Sequence, residues 1–99
     1  MTRMLLTLFC GVDDADQIAT ALRDHAGAPV HLHREAVLGR DYADAATAER
    51  VAGTLDRMAI EVELDAGQLA GALDAATRTR RRLPFRWRTV RLEQGGRIA

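Results

Sequence analysis

Met4 to Cys10 (MLLTLFC) is an unbroken apolar run of strand length, the pattern of a central strand buried on both faces. Gly11 breaks it. Asp14 and Gln17 then stand three apart, as in a capping box, and Ile18, Ala21, Leu22 and His25 recur at helical spacing up to a stop at Gly27. After Pro29 the chain alternates, with Val30 and Leu32 on one side and His31, His33 and Glu35 on the other. That is a half-exposed strand ending near Val37. Met58, Ile60, Val62 and Leu64 alternate with Ala59, Glu61 and Glu63 in a third strand. Asp65 and Gln68 repeat the capping box before Leu69, Ala72, Leu73 and Ala76, and Phe85 to Leu92 reads as a last strand after Pro84.

Between the second and third strands, Gly39 to Asp56 follows a different pattern. Ala48, Val51, Ala52 and Leu55 fall at i, i+3, i+4 and i+7, which predicts a loop carrying a short helix ended at Gly53. A stripe made mostly of Ala stabilises little, at about 25 cal/mol per Å² of apolar area. Ordering the backbone costs roughly 1–2 kcal/mol per residue. This segment is therefore expected to be the part whose order a ligand decides, with Arg40, Tyr42 and Arg50 meeting that ligand or a partner.

The order of elements is settled by an internal repeat. Asp14-Ala-Asp-Gln-Ile-Ala-Thr-Ala-Leu and Asp65-Ala-Gly-Gln-Leu-Ala-Gly-Ala-Leu are one helix start written twice, each after an apolar strand and each before a Pro and another strand. A strand–helix–strand unit used twice, with right-handed crossovers, gives an α+β ferredoxin-like split βαβ sandwich (βαββαβ) in one domain, with the first and third strands central.

Charge changes the picture more than composition does. Lys is absent, so all 14 basic side chains are Arg. Eight of them lie from Arg78 onward, where Glu93 is the sole acid, while the chain through Ala76 holds six Arg against thirteen acids. A net charge of zero conceals an acidic body and a basic end. Arg pairs bidentately with carboxylate and phosphate. Arg80, Arg81 and Arg82 are therefore either a helix end pairing with Glu61 and Glu63, between subunits, or an anion site. Three such side chains are too crowded for all to pair with two Glu, so at least one is expected to face a cleft.

Candidate chemistry is otherwise sparse. His31 and His33 share a strand face and are candidate ligands for zinc or copper, with the third ligand to come from Glu35, the following loop or another subunit. The competing reading is two half-exposed strand histidines. The single Cys10 excludes an internal disulfide, reads as a small core residue, and fits a reducing compartment. The N-terminal apolar run is too short for a signal peptide or a membrane span, so a cytoplasmic protein without membrane insertion is expected. No nucleophile–base arrangement, phosphate loop, HExxH or CxxC motif is present, and an enzyme is not expected. RNA binding is disfavoured because the third strand (MAIEVEL) lacks stacking aromatics.

AERVAG (Ala48 to Gly53), Arg57 opening the third strand, Phe85-x-Trp87 in the fourth, and Gly96-Arg97-Ile98 at the end carry a resemblance to the PII-like superfamily. The likeness is greatest to a family of unknown function in that group, often encoded beside heavy-metal efflux pumps of the RND type. The resemblance implies a homotrimer with sheets inward and helices outward. It implies clefts between subunits, lined by the segment before the third strand and the turn before the fourth. It also implies a regulatory or sensor role, with a small anion or divalent metal as ligand and a metal-efflux transporter as partner. The Gly-rich, Lys-containing nucleotide turn of true PII proteins is replaced here by Arg80-Arg81-Arg82-Leu83-Pro84, so adenine nucleotide is not expected and the cofactor is left unnamed. A structural or adaptor trimer without ligand is the alternative, and a nucleic-acid-binding module the weaker one. With few aromatics and much Ala in the core, Trp87 and Phe85 are expected on an exposed sheet face, in a subunit interface with Glu61 and Glu63.

Overall fold

The computed structural model describes residues 2–38 and 54–99. Four strands form one antiparallel sheet: β1 (Arg3–Gly11), β2 (Val30–Leu38), β3 (Thr54–Asp65) and β4 (Arg86–Arg91), in the spatial order β2-β3-β1-β4. Helices α1 (Ala15–Ala26) and α2 (Leu69–Thr77) cross between β1 and β2 and between β3 and β4. This is the ferredoxin-like βαββαβ arrangement that the internal repeat predicts, with the two most apolar strands in the centre.

Register assigns every strand residue to a face. Leu6, Leu8 and Cys10 of β1 stand opposite Val62, Ile60 and Met58 of β3, and the helices cover this side. Ile18 and Leu22 from α1, and Ala72 and Ala76 from α2, complete the buried core. A Leu or Ile side chain contributes about 1.5–3 kcal/mol when fully buried. The small residues of α2 let the helices close together. A Cβ built on Gly71 would stand 2.6 Å from Cε1 of His25, so the α1 imidazole occupies the space the missing side chain leaves.

Both helices start through a single 3-10 turn, but at different points of the repeat. Before α2 the turn is Ala66–Gln68, and Asp65 and Gln68 form the expected capping box, with the Asp65 N–H donating to Gln68 Oε1 at 3.0 Å. Before α1 the turn is Val12–Asp14, one turn earlier in the repeat. Asp14 therefore lies within the helical path, its side chain makes no cap, and the expected box with Gln17 is not formed. Gly27 ends α1 in the left-handed conformation (φ 62°), its N–H donating to the Arg23 carbonyl at 2.9 Å.

Two boundaries and one face differ from the sequence reading. Thr54–Asp56 belongs to β3, with Leu55 opposite Val37 and Asp56 opposite Ala36. The spacing of Leu55 from Ala48 misplaced it in a helical stripe; Ala48, Val51 and Ala52 lie outside the described residues. β4 is Arg86–Arg91, shorter than Phe85–Leu92. Trp87 stands opposite Leu8, so it is on the helix side of the sheet, at an edge where it stays 48% exposed. Phe85 packs against the core on that same side. Neither shares a face with Glu61 and Glu63, so the expected common patch does not exist.

Candidate functional site

The turn between α2 and β4 holds the basic run, and one carboxylate anchors it. Asp14 is 3% exposed and accepts from the backbone N–H groups of Arg82 (2.9 Å) and Leu83 (3.0 Å). Gly11 makes room for this contact: a Cβ there would come within 3.0 Å of Leu83 Cδ1 and 3.3 Å of Asp14 Oδ2. With its backbone so held, the turn spreads its guanidinium groups. Arg81 folds inward, with its guanidinium 4.9 Å from the Phe85 ring centre and long contacts of 3.4 Å to the carbonyls of Thr77 and Leu83. Its Nε is buried without a hydrogen-bond partner among the described residues. Arg82 reaches out, 3.7 Å from Asp13 and 82% exposed in its side chain. Arg80 makes no ion pair with any described residue.

These three arginines line one recess of about 480 Å³ with Gln17, Asp13 and Asp14. Arg82 also borders a neighbouring cleft of about 330 Å³ at the end of β1, walled by Gly11, Asp14, Arg34, Asp56 and Arg57. In that cleft one pair of charges is already closed. Arg34 Nε and Nη2 donate to Asp56 Oδ1 and Oδ2 at 3.0 and 2.6 Å. This hydrogen bonding holds the Asp56 carboxyl below its ordinary range and raises Arg34 further. Among the described residues of the turn, Arg80 and Arg82 are the exposed guanidinium groups placed to meet an incoming anion.

The acids expected to neutralise the run are engaged elsewhere within the chain. Glu61 Oε1 lies 2.6 Å from His33 Nε2, and Glu63 lies 3.5 Å from Arg3, while Arg78 pairs with Asp74 one helical turn back. His31 and His33 do share the uncovered face of β2, opposite Glu61 and Ala59. Among the described residues no group of three metal-ligating side chains gathers around them. Arg40, Tyr42 and Arg50 lie outside the described residues. Cys10 is fully buried; burial first, and the Asp14 carboxylate second, push its thiol up to about 11, with Arg57 opposing. A core cysteine is what its place in β1 predicts.

Sequence reasoning missed three arginines. Arg57, Arg86 and Arg88 stand on the uncovered face, in register with Gly11, Phe9 and Thr7. The alternation Arg86, Arg88, Val90 was the available signal, since period two puts these side chains together. The Asp14 contact had no local signal, because its partners lie 68 and 69 residues away.

No protein-family model matches the chain, and no curated protein is similar to it in sequence. Solved structures share its fold. A DUF3240 family protein from Shewanella baltica superposes with a TM-score of 0.74 at 20% identity, over 100% of this chain and 99% of that one. Arabidopsis thaliana PII bound to citrate superposes with a TM-score of 0.68 at 10% identity, over 92% of this chain and 78% of that one. The fold is PII-like. A Bacillus cereus protein related to NIF3 also matches, with a TM-score of 0.72 at 13% identity, over 97% of this chain but 26% of that protein. Among the described residues, no helix is long and apolar enough to cross a membrane.

Proposed function

We propose that this PII-like chain is a regulatory or sensor subunit, not an enzyme, which binds a small multivalent anion in the recess of Arg80, Arg81 and Arg82. The observation that carries this reading is the inequality of charge there. The Asp14 carboxylate is spent on two backbone N–H groups, Asp13 reaches Arg82 at only 3.7 Å, and Arg80 has no ion-pair partner among the described residues. Guanidinium groups grouped in this way favour a ligand with several carboxylate or phosphate oxygens.

A homotrimer is the assembly we propose with it, and the uncovered sheet face supports this. Arg86 and Arg88 occupy its β4 edge, whereas Glu61, Glu63 and Glu35 lie toward β3 and β2. A face basic at one edge and acidic at the other suits a head-to-tail contact that closes into a ring. The link to heavy-metal efflux rests on the resemblance carried by AERVAG, Phe85-x-Trp87 and Gly96-Arg97-Ile98, and so does action in the cytoplasm beside a transporter. Metal binding by His31 and His33 belongs to the same proposal, with the remaining ligand supplied from outside the described residues or by a second subunit.

Thermal unfolding tests the anion site. Phosphate and sulfate should raise the melting temperature more than chloride at equal ionic strength, and the Arg81→Ala, Arg82→Ala variant should lose that difference. Sulfate also strengthens burial in general, so the same response in parent and variant would refute a specific site.

A further inference from the structure

Gln17 is left over by the fold. In the second copy of the repeat its counterpart Gln68 closes a capping box, accepting the Asp65 N–H at 3.0 Å. Before α1 the corresponding box is not formed, because the Asp14 carboxylate is given to the backbone of the basic turn. The Gln17 side-chain amide is exposed on the first turn of α1 and lines the recess of Arg80, Arg81 and Arg82, without a hydrogen bond to any described residue.

Asp13 is the second polar group of the recess without a firm partner. Its carboxylate stands 3.7 Å from Arg82, and its side chain is 78% exposed. An ion pair that long and that exposed contributes little. The recess of about 480 Å³ is therefore not purely cationic. Arg80 and Arg82 offer it positive charge, while Asp13 and Gln17 offer it acceptor oxygens.

A plain polyanion uses only half of this arrangement. When its carboxylate takes Arg82, Asp13 loses that cation and stands as a like charge beside the ligand. An ammonium next to the ligand's carboxylate removes the conflict, since the ammonium takes Asp13 as the carboxylate takes Arg82. Carboxylate and ammonium on one carbon are the head group of an α-amino acid. Arg80 then remains for a second carboxylate, which makes that amino acid an acidic one.

We infer that the recess selects an acidic α-amino acid over a plain carboxylate or inorganic anion. Arg82 holds the α-carboxylate, Asp13 and the Gln17 amide oxygen hold the ammonium, and Arg80 holds the side-chain carboxylate. Plain anions are weaker ligands of the same guanidinium groups. The inference rests on the anion site proposed for this recess and adds Asp13 and Gln17 as its specificity residues.

L-Aspartate and succinate are the probes, because they share a carbon chain and both carboxylates and differ in the ammonium. Bare charge would favour succinate, the dianion. Calorimetric titration at neutral pH and fixed ionic strength should instead show L-aspartate binding the parent about tenfold more tightly, the contribution of one charge-assisted hydrogen bond. Asp13→Asn changes an exposed side chain and should leave the fold intact. It should reverse the order, with L-aspartate weakened about tenfold and succinate unchanged or tighter. Succinate binding the parent as tightly as L-aspartate would overturn the inference, and so would an unchanged preference in Asp13→Asn. In either case, succinate binding that is lost in Arg80→Ala, Arg82→Ala leaves the anion site standing without the amino acid. No heat from either probe would remove both.

Discussion

The Asp14 carboxylate ties the end of the first strand to the backbone of Leu83, accepting its N–H at 3.0 Å across 69 residues of chain. It accepts the Arg82 N–H at 2.9 Å with its other oxygen. One buried side chain therefore fixes the turn that carries the arginines. In the Asp14→Ala protein both N–H groups would be left in a part-buried place without an acceptor. The expected loss is about 2–4 kcal/mol, which lowers the melting temperature by roughly 10 °C or more in a domain of this size. Thermal unfolding of the variant checks it, and a loss within experimental scatter would mean that water replaces the carboxylate. Gly11→Ala should act in the same direction, because its Cβ would crowd Leu83 and Asp14 together.

Cys10 makes the alkaline limb of stability predictable. Its thiol is pushed up to about 11 in the folded protein, mainly by burial. An unfolded thiol ionises near its ordinary value, so between about 9 and 11 the unfolded chain has lost a proton that the folded chain keeps. Stability contributed by the buried thiol is thus full below pH 9 and falls as pH rises toward 11. Denaturant unfolding of Cys10→Ala should show a flatter profile over that window, from a lower starting stability. Native protein should also react with a thiol reagent only at the rate at which it opens.

His31 and His33 provide a clear test of metal. If they ligate zinc or copper, calorimetry at neutral pH shows a heat of binding in the parent that vanishes in His31→Ala, His33→Ala. His33 can then keep its 2.6 Å contact with Glu61 through Nε2 and ligate through Nδ1, with the carboxylate orienting the ring. Without a signal in the parent at excess metal, the two are strand histidines and nothing more.

How much of this was legible from the sequence depended on the range of the interaction. β1, β3 and both helices were readable because a buried strand or an amphipathic helix repeats its signal over many residues. The capping box at Asp65 was readable for the same reason, since its partners are three residues apart. Asp14 carries the same local motif but meets a competing pair of donors far along the chain, and tertiary contact won. Alternation in β4 told which residues go together, Trp87 with Thr89 and Arg86 with Arg88. It did not tell which set the helices would cover, because both sets mix apolar and polar side chains. Trp87 was accordingly placed on the wrong face, and the Arg57–Arg86–Arg88 group was overlooked.

The proposed trimer can be tested through the charge layout of the uncovered sheet face. Light scattering after size exclusion should give about three times the chain mass of 10.9 kDa at micromolar concentration. Reversing the basic edge with Arg86→Glu, Arg88→Glu should place like charges against Glu61 and Glu63 of the next copy and shift the mass toward the monomer. A monomeric parent protein would remove the ring.

The most direct measurement of the proposed anion sensor is a calorimetric titration of citrate, a small ion with three carboxylates, into the parent and into Arg80→Ala, Arg82→Ala. Both titrations should be run at one fixed ionic strength. The parent should give a saturable heat with one site per chain, and the variant at least a tenfold loss of affinity, from two lost charge-assisted contacts. Equal affinities in the two proteins, or no saturable heat in the parent, would contradict the account.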